Sequence, residues 1–154
     1  MGDHAEAERL HRRALAVWRE ALGDEHPEYA RGVINLADLL GMIGEHERAG
    51  RLLGRALTIL GKVLGEEHPD YASGLASLGC LHLATGEYAE AESFIRRSLE
   101  ILGKLLGEKH PRYAVGLSNL AAIHHAAGDH ARAEPLFRRA LEIRREALGE
   151  LHPG

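Results

Sequence analysis

Six residues with the pattern Leu-Gly-x-x-His-Pro recur four times in this chain, beginning at Leu22, Leu64, Leu106 and Leu148, each start 42 residues after the one before. A fixed period of this length implies one supersecondary unit stacked on copies of itself, so the chain is not expected to fold around a single central core. The likeness runs through the whole unit. Residues 64–105 and 106–147 are identical at about half of their positions. The chain therefore reads as one repeat array over 1–154: half a repeat at 2–21, full repeats at 22–63, 64–105 and 106–147, and the start of a truncated repeat at 148–154. The abrupt start and the stop at His152-Pro153-Gly154 read as a piece cut from a longer array.

Each unit spells two helices. In the unit from 64 to 105, Pro69 suits the first turn of a helix, where a missing N–H costs nothing. Tyr71, Leu75, Leu78, Gly79 and His82 follow at steps of three and four. Gly86-Glu87 breaks the pattern. Ala91, Phe94, Ile95, Ser98, Leu99, Ile101, Leu102 and Leu105 then resume it. The spacing predicts seven helices, at about 3–21, 26–42, 45–63, 68–84, 87–105, 110–126 and 129–147, paired antiparallel with short turns. No strand-like alternation is present.

Small residues recur in register. Ala37, Gly79 and Ala121 share one slot; Ala49, Ala91 and Ala133 share another, with Ala7 as their match in the half repeat. They let helix axes approach closely. Gly32, Gly74 and Gly116 also recur, although glycine inside a helix costs about 1 kcal/mol against alanine. The plain explanation is steric, a neighbouring helix passing there; a hinge is the alternative. Leu36, Leu78 and Leu120 lie at the centres of their apolar stripes and are expected to be nearly fully buried.

The net charge of −4 leaves no footprint for nucleic acid or an anionic membrane. Cys80 is the only cysteine, so no internal disulfide can form and a cytoplasmic setting is the default expectation. No signal peptide or membrane span is legible.

Asn35-Leu36-Ala37, Gly44, Ala49 and Ala56 in the first unit, and Asn119-Leu120-Ala121, Gly128, Ala133, Phe137 and Ala140 in the third, resemble the tetratricopeptide signature. The middle unit keeps Leu78-Gly79, Gly86-Glu87-Tyr88 and Ala91, with Ser77 and Ser98 at two matching slots. The longer period, with Leu-Gly-x-x-His-Pro between pairs, is similar to the kinesin-light-chain type of repeat. The resemblance implies an all-α, right-handed superhelical solenoid of antiparallel helix pairs. Its first helices would line a concave groove that takes a protein or peptide.

Carried over by position, that groove would show Arg31, Ile34, Asn35, Asp38 and Met42 from the first pair. Ser73, Ala76, Ser77, Cys80 and Leu83 would come from the second, and Val115, Ser118, Asn119, Ala122 and His125 from the third. These residues fall on the helix face left free by the Tyr29/Val33/Leu36/Leu40 stripe and its equivalents. Asn35 and Asn119 are the expected contacts, because an amide both donates to and accepts from a peptide backbone. Only Arg31 is basic in this set. Capture of an acidic C-terminus, which needs several basic groups, is disfavoured; a helix or an extended apolar peptide fits better.

No constellation for catalysis, cofactor or metal stands out. His26, His68, His110 and His152 belong to the repeat junctions, where a side chain can close a helix end. The adjacent His124 and His125 face different ways. His82 and His124 share a register with Leu40, a packing position. The Arg12-Arg13, Arg96-Arg97, Arg138-Arg139 and Arg144-Arg145 pairs read as a solvated outer face interleaved with glutamates such as Glu92 and Glu142. Two other roles compete with peptide binding: a structural spacer or self-assembly module, and a regulatory repeat domain of a larger bacterial signalling protein. Apolar positions on the first and last helices lead to an expectation of end-to-end self-association, although His11 and Arg144 replace apolar residues there.

Overall fold

The structure is a computed structural model that describes residues 2–151, with side chains from His4 to Gly149. The fourth junction histidine, His152, and the last residues of the expected truncated repeat lie outside them. Seven helices follow one another: α1 (Gly2–Leu22), α2 (Pro27–Met42), α3 (His46–Val63), α4 (Pro69–Thr85), α5 (Tyr88–Leu106), α6 (Pro111–Ala126) and α7 (His130–Leu151). No strand is present among the described residues. The periodicity places each helix within two residues at both ends, except at the end of α7. There the helix continues through Gly149, whereas Gly23, Gly65 and Gly107 leave the helix with φ of 89°, 89° and 83°.

The turns have a common construction. Pro27, Pro69 and Pro111 open α2, α4 and α6, and the preceding histidine caps each one. The Nδ1 of His26, His68 and His110 accepts from the backbone N–H two residues on, at 3.2, 3.1 and 3.1 Å. The junction histidines thus satisfy donors that the first turn of a helix leaves without partners. The turn inside each pair passes through Gly44, Gly86 or Gly128 at φ 80–86°, a left-handed conformation that side chains with a Cβ disfavour.

Apolar clusters run along the stack instead of meeting in one core. One joins Leu15 to Tyr29, Val33, Leu40, Leu53 and Leu60; the next holds Ala72, Leu75, Ile101 and Leu102; a third joins Ile95 and Leu99 to Leu117, Ile123 and Ile143. The recurring helix glycines sit where the stack is tightest. A Cβ on Gly32 would lie 2.4 Å from the Trp18 ring, on Gly74 2.7 Å from Leu57, and on Gly116 2.6 Å from Leu99. The steric explanation therefore accounts for them without a hinge.

One expectation of burial fails. Leu36 and Leu120 are 5% and 4% exposed, but Leu78 is only half-buried at the edge of the first cluster. The reason lies one repeat back. Arg12 shares a surface groove with Leu36, and Arg96 shares the equivalent groove with Leu120. The residue in that register before Leu78 is Gly54, whose missing side chain leaves open space. The middle repeat also substitutes Ser98 for Ala56 and Ala140. Its hydroxyl is buried and donates to the Ala72 carbonyl at 2.7 Å, so it remains satisfied.

Candidate functional site

Neighbouring helices in the chain pack on one another, and α2 also touches α4, and α4 touches α6. Among the described residues no such close backbone approach joins α1 to α3, α3 to α5 or α5 to α7, although the Arg48 guanidinium of α3 reaches Glu8 of α1 at 2.8 Å. The even-numbered helices thus form a closed inner layer while the odd-numbered ones splay apart, and the stack curves with α2, α4 and α6 on its concave side. The free faces of these three helices form the concave surface of the stack.

Six of the candidate residues converge, the small Ala76 among them. Asp38 and Met42 from α2, Ser77 and Cys80 from α4, and Asn119 from α6 line one cavity of about 340 Å³. Leu53 of α3 backs it, and small residues (Ala37, Gly41, Ala76, Ala84) complete its walls with Leu81. The cavity exists because those positions carry so little volume. Sequence periodicity identified Ala76 but passed over Gly41, Leu81 and Ala84. Leu81 lies one turn beyond Ser77, so helical spacing alone could have found it.

The other candidates sit elsewhere on the inner layer. Arg31 is engaged by its neighbours: its guanidinium donates to Glu28 at 2.8 Å and, across the repeat, to Asp70 at 2.9 Å. Ser73 accepts from Arg112 at 2.6 Å, and the same Arg112 nitrogen donates to the Pro69 carbonyl at 3.1 Å. Arg112 is a second basic group of this rim that periodicity did not identify. Ile34 is buried beneath Gly74, which makes it an inter-repeat contact and not a groove residue. Ser118, in the same register, donates to the Ala114 carbonyl at 3.1 Å and accepts from Arg144 of α7 at 3.2 Å. Asn35 is exposed and Ala122 half-buried, both outside the cavity lining. His125 pairs with His130 instead, their Nδ1 atoms 3.1 Å apart.

The electrostatics of the cavity centre on Asp38. Its carboxylate surface is open, yet protein surrounds it on the cavity wall, and this desolvation raises its carboxyl above the usual aspartate range. The Ser77 hydroxyl offsets part of that rise. Cys80 is shifted upward as well, first by burial and then by the nearby Asp38 charge. Its thiol is accordingly held in the protonated, poorly nucleophilic form. No lysine or arginine lines the cavity. By contrast, the outer face pairs its charges locally: Arg96 with Glu92 at 2.6 Å, Arg139 with Glu142 at 3.3 Å, and Arg97 with Glu67 and Glu100. The packing histidines behave as their register suggested. His82 stacks on Phe94 with ring centroids 5.3 Å apart, and His124 is 4% exposed. No described helix is long and apolar enough to cross a membrane.

Comparison with known proteins adds a family. The model of the tetratricopeptide repeat matches residues 1–62, 33–104 and 82–146. No curated protein matches the chain. Among solved structures, BtubC (BKLC) from P. vanneervenii superposes with a TM-score of 0.79 at 29% identity, covering 96% of this chain and 59% of that one. The chain thus spans less than two thirds of that neighbour's length. The nearly identical TPR-like repeats of a putative kinesin light chain from Podosopora anserina, in a single-substitution variant, give a TM-score of 0.73 at 26% identity over 96% of this chain and 69% of that one. A second structure of those repeats gives 0.69, also at 26% identity, over 95% of this chain and 69% of that one.

Proposed function

This chain belongs to the tetratricopeptide repeat family, in its kinesin-light-chain-like form, and on that footing we propose that it is a non-catalytic scaffold that binds a peptide or protein segment in the cavity between α2 and α4. Repeats of this family are in general protein-interaction scaffolds. The observation that carries the finer reading is the convergence of Asp38, Met42, Ser77, Cys80 and Asn119, drawn from three inner helices, around one cavity walled by small apolar residues. Met42 is 79% exposed, and its flexible thioether can adapt to the shape of a ligand. Ser77 and Asn119 supply the few fixed polar groups that orient an otherwise apolar contact. In this reading the cytoplasm is the setting, and the division into three full repeats sets the length of the site.

The test uses a displayed library of random eight-residue peptides selected on the immobilised chain. Ala84→Trp fills the cavity from an exposed position and serves as the control. Peptides enriched on the wild type should fail to bind Ala84→Trp, and bound peptide should shield Cys80, the only thiol, from a maleimide. Peptides that bind both proteins equally and leave Cys80 reactive would place recognition outside the cavity.

A further inference from the structure

One carboxylate in this cavity has no counter-ion. Asp38 lies among Ala37, Gly41, Met42, Leu81 and Ala84, and among the described residues no lysine, arginine or histidine forms an ion pair with it. The basic group nearest in the sequence of α2, Arg31, sits two helical turns back, about 10 Å along the axis, where Glu28 and Asp70 already hold it. The opposing position on the next helix is Cys80, and the one after that is Ala122, so the repeat places a charge at this register only once.

We propose that Asp38 determines the specificity of the site: the cavity takes a segment in which an apolar side chain neighbours a lysine or arginine whose cation pairs with the Asp38 carboxylate. This rests on the peptide-binding reading of the cavity given above. A partly desolvated carboxylate without a counter-ion gains more from a ligand cation than a solvated surface carboxylate does. A lysine or arginine suits the surroundings in shape too, because its aliphatic stem can lie along Met42 and Leu81 while its head reaches Asp38. An acidic ligand would bring like charge against Asp38 with no basic residue in the lining to relieve it. Since the anion belongs to the first repeat and Asn119 to the third, the site also has a direction. The ligand's basic end lies over α2, and its backbone runs toward the amide on α6.

The experiment runs the same displayed peptide library in parallel on the wild type, Asp38→Asn and Asp38→Lys, with Ala84→Trp as the blocked control and thermal melts to confirm that each variant folds. Wild-type peptides should be enriched in lysine and arginine beside an apolar residue. Asp38→Asn should keep the apolar preference and lose the basic one. Asp38→Lys should turn the preference to aspartate and glutamate. A peptide synthesised from the wild-type selection should bind Asp38→Asn about tenfold more weakly, and replacing its basic residue by norleucine should erase the difference between the two proteins. Peptides that need the open cavity but show no basic preference, or keep it on Asp38→Asn, would overturn the role of Asp38 and leave the cavity as the binding site. Failure to enrich any peptide over the Ala84→Trp control would remove both.

Discussion

Gly79 and Ile95 show how a repeat adjusts itself at single positions. In the first repeat the same pair of slots holds Ala37 and Leu53, both buried. In the second, a Cβ on Gly79 would lie 2.6 Å from both Cγ1 and Cδ1 of Ile95 and 3.2 Å from the Ala91 carbonyl. The β-branched isoleucine cannot swing aside as leucine can. Gly79→Ala should therefore destabilise the chain by about 1–3 kcal/mol despite its better helix propensity, and Ile95→Leu should recover part of that loss. Additive effects in chemical denaturation would show that the two slots do not compensate. Asp38 permits a second test. Its carboxyl is raised in the folded chain, mainly by desolvation, so the folded state holds that proton more tightly than the unfolded one. Its contribution is most favourable while it is protonated, and it declines as pH rises from the ordinary aspartate range to the raised value. Asp38→Asn should gain stability relative to wild type across that window and hold a constant advantage above it. Parallel denaturation curves at every pH would mean that the carboxylate is fully solvated.

At the scale of the element, the helix starts are the most repetitive part of the design. A histidine cap followed by proline begins α2, α4 and α6, and the cap bond is an acceptor interaction at Nδ1. His110→Ala should then cost about 0.5–2 kcal/mol, the range of a lost N-cap, while His110→Asn, which presents another side-chain acceptor to the same N–H, should cost much less. Equal losses for both would point to packing of the imidazole ring as its main role. The periodicity made these helices legible almost to the residue. It did not reveal that α7 runs on through Gly149, because the same Leu-Gly pair ends a helix at the three earlier junctions, where the chain turns back into the next packed pair.

On the scale of the whole molecule, the stack has an unequal pair of faces. Ile95 and Leu99 are 0% and 7% exposed, whereas Phe137 and Leu141, their equivalents on α7, are 43% and 49% exposed. On α1, Leu10 and Val17 are 55% and 57% exposed. Uncovered apolar strips of this kind favour association. The chain should show reversible, concentration-dependent self-association in sedimentation velocity, and Phe137→Ser with Leu141→Ser should weaken it. A single monomeric species at all concentrations would exclude these faces as contacts between copies.

The sequence by itself determined what is repeated: seven helices, their pairing, the apolar stripes, the small-residue slots and the histidine junctions. All of these follow from spacing within about one unit, and a period of 42 residues states each of them three times over. The tertiary structure decided what happens between units. Leu78 is half-buried because Gly54, in the preceding repeat, gives it no cover. Arg31 is tied up because Asp70 comes across from the next helix, and Ser73 because Arg112 does. Ile34 and Ser118 turn to neighbouring helices, while Asp38, Ser77 and Asn119, successively 39 and 42 residues apart along the chain, meet around one cavity. Helical periodicity gives the direction of a side chain about its own axis. Whether that direction leads to a partner, to solvent or to an open cavity depends on the volume and charge of residues on other helices, and only the packed stack brings those together.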